Sequence, residues 1–234
     1  NDVVVSGSYA YVAERFYGIE VMDVSDPRSP VMTGSVSMPS KGNTGSIAVS
    51  GPYAYVADFG RLVVIDISNP VSPASLGSVA APGEALDVAV SGMVAYVVYV
   101  GNLESGLQVI DISNPASPVV LGSVATLSDP KGVAVSGTVV YVTNGSSGLQ
   151  LIDVSNPASP SILGSVDTPG DANGVAVSGT IAYVSDGGSG LQVIDVSNPA
   201  SPTILGSVDT PGGARDVVVS GTVAYVADFG SGLQ

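Results

Sequence analysis

The chain of 234 residues contains no cysteine and no histidine. Without cysteine there is no disulfide framework and no thiolate nucleophile. With both types missing, Ser-His-Asp and Cys-His catalysis are excluded, and a zinc or iron site loses its usual ligands. Basic residues are scarce. Six Lys and Arg stand against 20 Asp and Glu, for a net charge of −14. A chain this acidic repels phosphate backbones, so nucleic acid is not an expected partner. Charged residues of all kinds make up only 11% of the chain. No stretch of about 18 apolar residues occurs, so no transmembrane helix is expected. Helical periodicity is absent throughout, and no signal-peptide pattern is visible.

What is present is β-forming and repetitive. Valine, serine and glycine dominate, with 30 glycines and 16 prolines. Such a composition suits strands joined by tight turns. Three markers recur in step. The aspartates Asp23, Asp66, Asp111, Asp153 and Asp195 close a Val-Ile-Asp-type strand at intervals of 43, 45, 42 and 42 residues. Val-Ser-Gly begins at Val5, Val49, Val90, Val135, Val177 and Val219. A strand tyrosine recurs as Tyr11, Tyr55, Tyr96, Tyr141, Tyr183 and Tyr225.

One unit, from Gly174 to Asp216, carries four strand signals. Strand A is Gly-Val-Ala-Val, ending at the turn Ser178-Gly179. Strand B runs from Thr180 to Ser185, strand C from Leu191 to Val196 and strand D from Thr203 to Val208. A Gly-rich loop separates B from C. The link Ser-Asn-Pro-Ala-Ser-Pro separates C from D, where proline fixes φ and lacks a donor. Four short strands in about 42 residues is the arithmetic of a propeller blade. The expected fold is all-β: a single β-propeller over 1–234 of four-stranded antiparallel blades. Its units are approximately 1–44, 45–86, 87–130, 131–173 and 174–215, with a partial sixth at 216–234. An open β-solenoid is the alternative architecture. The recurrent tyrosines are expected to pack between blades.

The segments Leu62-Val-Val-Ile-Asp66, Leu107-Gln-Val-Ile-Asp111, Leu149-Gln-Leu-Ile-Asp153 and Leu191-Gln-Val-Ile-Asp195 resemble the core of the LVIVD repeat. So does the Asn-Pro…Ser-Pro link that follows each. The resemblance covers the whole chain. It implies β-propellers of bacterial or archaeal surface-associated proteins, mostly of poorly defined function. Ile19-Glu-Val-Met-Asp23 departs slightly from the pattern. The last copy stops at Gly232-Leu233-Gln234, inside strand C, and the first opens directly on strand A. The chain is therefore expected to be a window on a longer protein of six to eight blades. An open half-blade would offer an edge for strand complementation by another subunit.

Because strands alternate in direction, the loops sort to two ends of each blade. The A–B turns and C–D links, at one end, are nearly uniform. The D–A and B–C loops, at the other, vary. They hold five of the six basic residues, both length insertions (around Ser37–Ser46 and Val98–Ser105), and Ser40-Lys41-Gly42-Asn43. Variable loops on a repeat scaffold are where binding residues gather. The candidate ligand-binding residues are Arg15, Phe16, Tyr17, Asp58, Phe59, Arg61, Tyr99, Glu104, Asp186, Asp228 and Phe229. Aromatics beside polar groups suit protein or glycan surfaces.

The repeated strand-C aspartate is expected to accept turn N–H bonds rather than form a ring of carboxylates. No cofactor or metal is expected. Calcium is kept open on Asp186-Gly-Gly-Ser-Gly and Asp171-Ala-Asn173, although neither has the spacing of a calcium loop. Asn144-Gly-Ser146 fits an N-glycosylation sequon. The expected function is a non-enzymatic extracellular or cell-surface module, prokaryotic, mediating adhesion through protein or glycan contacts. Self-association into a fibre is the second reading. A carboxylate-dependent glycan-active enzyme is the third, with Asp58, Glu104, Asp186 and Asp228 as its candidates.

Overall fold

The computed structural model describes residues 2–38, 44–102 and 104–234. Ser40–Asn43, within the first length insertion, lie outside the described residues. The fold is all-β and consists of six propeller blades. Five are four-stranded sheets and the sixth has three strands. The first blade is β1 (Asp2–Ser6), β2 (Tyr9–Glu14), β3 (Gly18–Asp23) and β4 (Val31–Val36). The second is β5 (Thr44–Ser50), β6 (Tyr53–Asp58), β7 (Arg61–Asp66) and β8 (Ala74–Ala80). The third is β9 (Glu84–Ser91), β10 (Val94–Val100), β11 (Gly106–Asp111) and β12 (Val119–Ala125). The fourth is β13 (Gly132–Ser136), β14 (Val139–Thr143), β15 (Leu149–Asp153) and β16 (Ser161–Val166). The fifth is β17 (Gly174–Ser178), β18 (Ile181–Ser185), β19 (Leu191–Asp195) and β20 (Thr203–Val208). The sixth is β21 (Gly213–Ser220), β22 (Val223–Phe229) and β23 (Gly232–Leu233).

Every sheet is a meander in chain order. The chain divides into two compact units, one of residues 1–104 and 108–121, the other of 105–107 and 122–234. In the first, β1 packs on β5 and β5 on β9. In the second, β13 packs on β17 and β17 on β21.

The A–B connections explain the uniform end. Each is a two-residue hairpin whose first residue is glycine, such as Gly179 at φ +60. The second residue has no positive φ, which is the type II′ pattern. The turn therefore sits one residue later than Ser-Gly, and strand B begins at Ile181 rather than Thr180.

A β-sheet buries two faces only if neighbours cover both, and the blades do this for one another. Tyr11, Ile19 and Val21 of the first blade share a core with Ile47, Val56, Val63 and Ile65 of the second. Tyr55, Leu62 and Val64 pack against Ala95, Val97 and Ile110 of the third. In the other unit Tyr141, Leu149 and Leu151 meet Ala182, Val184 and Ile194. Tyr183 packs on the cluster of Val217 and Val226. Tyr11, Tyr55, Tyr141 and Tyr183 are thus inter-blade groups, and among the strand tyrosines Tyr225 alone is exposed, at 44%.

Strand D and the C–D link lock successive blades. A Cβ on Gly77 would lie 2.6 Å from the Ala116 carbonyl oxygen, and one on Gly122 would lie 2.6 Å from that of Pro157. Only glycine lets the next blade's Asn-Pro-Ala-Ser-Pro link approach this closely. The strand-C aspartates serve the same link. Asp66, Asp111 and Asp153 each accept an N–H bond at 2.8 Å from the serine two residues on. The Ser25 and Ser197 amides do the same for Asp23 and Asp195 at 2.9 Å. Hydrogen bonds from the side chain and backbone N–H of that serine lower the five carboxyls from their ordinary value, the side chain leading at Asp23 and Asp66 and the N–H at the other three.

Candidate functional site

The third residue after each strand tyrosine opens the B–C loop, and its identity divides the blades. It is Glu14, Asp58, Tyr99, Asn144, Asp186 and Asp228 in order. Asp58, Asp186 and Asp228 were expected as surface contacts, and all three are buried. For Asp186 and Asp228 the physical reason is a latch to the loop that leads into the same blade. Asp186 Oδ1 accepts the Thr168 hydroxyl at 2.7 Å, and its Oδ2 accepts the Gly170 N–H at 2.9 Å. Asp228 repeats this with Thr210 at 3.1 Å and Gly212 at 2.8 Å. A buried carboxylate held by two donors organises a loop and has little left for a ligand. Burial pushes the Asp186 carboxyl up despite these bonds, and the charges of Asp171 and Asp167 add to the rise.

The other two inward positions follow the same geometry without the charge. Tyr99 stands opposite Ala85 in the β9–β10 register, as Asp228 stands opposite Ala214. It is 2% exposed, so it fills the space rather than contacting a surface ligand. Burial raises its phenol, with Glu104 adding to the rise. Asn144 is fully buried, and its amide donates to the Val142 carbonyl at 3.1 Å and to Gln150 at 3.4 Å. In the folded chain this amide, the sequon's acceptor, is turned into the interior rather than to solvent.

A signal for these latches was available in the repeats. Thr168-Pro-Gly170 and Thr210-Pro-Gly212 each lie 18 residues before an aspartate. Where the loop reads Ala81-Pro-Gly83 or Thr126-Leu-Ser128, the partner position is Tyr99 or Asn144. The Thr126 hydroxyl instead donates to the Ser128 carbonyl at 2.8 Å.

The remaining candidates do face outward. Phe16, Tyr17, Phe59 and Phe229 are exposed aromatics at the tips of B–C loops. Two carry an arginine against the ring. The Arg15 guanidinium carbon is 5.9 Å from the Phe16 centroid, and that of Arg215 is 5.5 Å from Phe229. Both lie within the range of cation–π attraction. Arg61 is half-buried at the start of β7, and Glu104 is exposed in the longer B–C loop of the third blade. Several of the oxygens considered for calcium, the Asp186 pair among them, are engaged. Lys131 Nζ lies 2.5 Å from Asp171 Oδ2 and 3.3 Å from Asn173 Oδ1. Among the described residues no group of three or more carboxylates is placed so that it could hold a metal ion.

Phe59 is exceptional in its backbone. Its φ is +48, and no other non-glycine among the described residues has a positive φ. The corresponding residues of the fourth and fifth blades are Gly145 at φ +52 and Gly187 at φ +54. Each of those glycines forms a backbone bridge to an alanine of the next blade, Ala172 just before β17 and Ala214 near the start of β21. The Phe59 carbonyl likewise accepts the Ala85 N–H, while Gly60 accepts that of Ala81 at 2.9 Å. A bulky residue in this region costs about 1–2 kcal/mol. Beside Phe59 opens a cleft of about 360 Å³ lined by Pro82, Gly83, Glu84, Val100 and Asn102.

The LVIVD repeat family matches the chain at residues 1–38, 41–81, 82–126, 129–168, 169–210 and 211–234. Solved structures share the fold at low identity. A chain of the Kuenenia stuttgartiensis hydrazine synthase aligns at 16% identity with a TM-score of 0.78, covering 100% of this chain and 82% of its own. A functionally unknown protein from Desulfotomaculum acetoxidans aligns at 16% identity and TM-score 0.76, covering 94% and 72%. A chain of a mitotic checkpoint complex aligns at 12% identity and TM-score 0.82, covering 99% and 72%. Among curated proteins, none matches.

Proposed function

The chain belongs to the LVIVD repeat family, and on that premise we propose that it is a non-enzymatic binding module, displayed at a prokaryotic cell surface, that engages protein or glycan partners. The observation that carries this reading is the sorting of aromatic side chains. Phe16, Tyr17, Phe59 and Phe229 are exposed on B–C loops, while the opposite end of each blade presents near-identical hairpins and links. Exposed aromatics and arginines are the side chains that anchor interfaces.

The carboxylates support binding over hydrolysis. A glycosidase needs two carboxyl groups flanking the scissile bond. Asp186 and Asp228 have both oxygens engaged in loop latches, and Asp58 is buried at the equivalent position.

The test is a glycan and peptide microarray probed with the wild type and with a variant carrying Phe16→Ala, Tyr17→Ala, Phe59→Ala and Phe229→Ala. Retention by the wild type and loss in the variant supports the reading. Retention undiminished in the variant, or turnover of an arrayed glycan, refutes it.

A further inference from the structure

We propose that the cleft beside Phe59 is a binding site for one or two neutral sugar residues, stacked on the Phe59 ring. This rests on the reading of the B–C and D–A loops as the binding end of the blades.

The backbone supplies the first argument. The loop position that Phe59 occupies calls for a left-handed residue, and the fourth and fifth blades place Gly145 and Gly187 there. The second blade carries a phenylalanine instead, at φ +48. The residue is 51% exposed, so core packing does not offset the unfavourable backbone. Local strain of this kind concentrates at ligand sites. The bond from Ala85 N–H to the Phe59 carbonyl and that from Ala81 N–H to Gly60 fix the hairpin to the next blade. The ring is thereby presented from a rigid support, which limits the entropy lost on binding.

The cleft supplies the second. Its volume of about 360 Å³ falls at the small end of ligand pockets. Glu84 and Asn102 bring a carboxylate and an amide to the wall, and Pro82, Gly83 and Val100 complete it. Among the described residues no basic side chain lines it, so phosphate and carboxylate ligands find no counter-charge there. A single ring is not the multi-aromatic cage that quaternary ammonium groups select. A pyranose satisfies the arrangement. Its C–H face lies on the aromatic ring, and its hydroxyls donate to the carboxylate and exchange hydrogen bonds with the amide.

Saturation-transfer NMR on the whole chain tests the site, with lactose, maltose, cellobiose and choline chloride as probes. The expected result is transfer to ring protons of at least one disaccharide, none to choline, and at least tenfold weaker sugar binding in Phe59→Gly and weaker binding in Asn102→Ala. Transfer to choline alone, or to no disaccharide, overturns the proposal. Sugar binding that survives Phe59→Gly but falls in Phe16→Ala or Phe229→Ala overturns the cleft while leaving the wider binding reading standing.

Discussion

A Cβ placed on Gly164, in the outer strand of the fourth blade, would lie 2.6 Å from the carbonyl oxygen of Pro199 in the C–D link of the fifth. Backbone cannot yield as the end of a flexible side chain can. Gly164→Ala is expected to destabilise the protein by about 1–3 kcal/mol, the range for overpacking. Gly188→Ala, in open space at an ordinary φ, is expected to leave stability within about 0.5 kcal/mol. Denaturant midpoints of the two variants check the contrast.

The latch at Asp186 predicts a difference between two threonines that look alike in sequence. Thr168→Val removes a donor from a buried carboxylate and is expected to cost about 1–3 kcal/mol. Thr126→Val removes only a partly buried bond to the Ser128 carbonyl and is expected to cost less than half as much. Thermal unfolding of both variants measures this.

Much of the architecture was legible because the repeat is nearly verbatim. The A–B hairpins, the inter-blade tyrosines and the turn aspartates follow from residues that recur at one register. The latches were not read, because Asp186 and Asp228 share loops with residues that do face solvent. Composition alone does not say which carboxylate folds back onto a Thr-Pro-Gly segment 18 residues earlier. Tyr99 was misplaced for the same reason: it occupies the inward latch position in a loop of unusual length. The left-handed strain at Phe59 is a property of the backbone. It becomes visible in sequence only when Asp58-Phe59 is aligned with Asn144-Gly145 and Asp186-Gly187.

Stability should depend on pH in two opposing ways. The turn aspartates Asp23, Asp66, Asp111, Asp153 and Asp195 are held low by their serine bonds. Their contribution is present above the unfolded value, near pH 4, and is lost as pH falls through the folded values. Asp186 is raised by burial. Its contribution is present below the unfolded value and is lost as pH rises through the folded one. Asp186→Asn removes that second term, so its stability relative to wild type should be higher at pH 7 than at pH 4. Urea titrations at the two pH values decide the sign.

Asn144 should remain unmodified when the chain is secreted from a glycosylating host. Its side chain is fully buried, with the amide donating to Val142. Intact mass spectrometry should give the unglycosylated mass, and peptide mapping should recover an unmodified Asn144.

The most direct test of the binding account pairs two measurements on one preparation of Phe59→Gly: melting temperature and disaccharide affinity. Glycine relieves the left-handed backbone at φ +48 and removes the ring. A ligand-stacking ring at Phe59 predicts a melting temperature equal to or above wild type, with sugar binding at least tenfold weaker. A lower melting temperature with unchanged binding would contradict it, because Phe59 would then be a packing residue and the cleft beside it would not be a site.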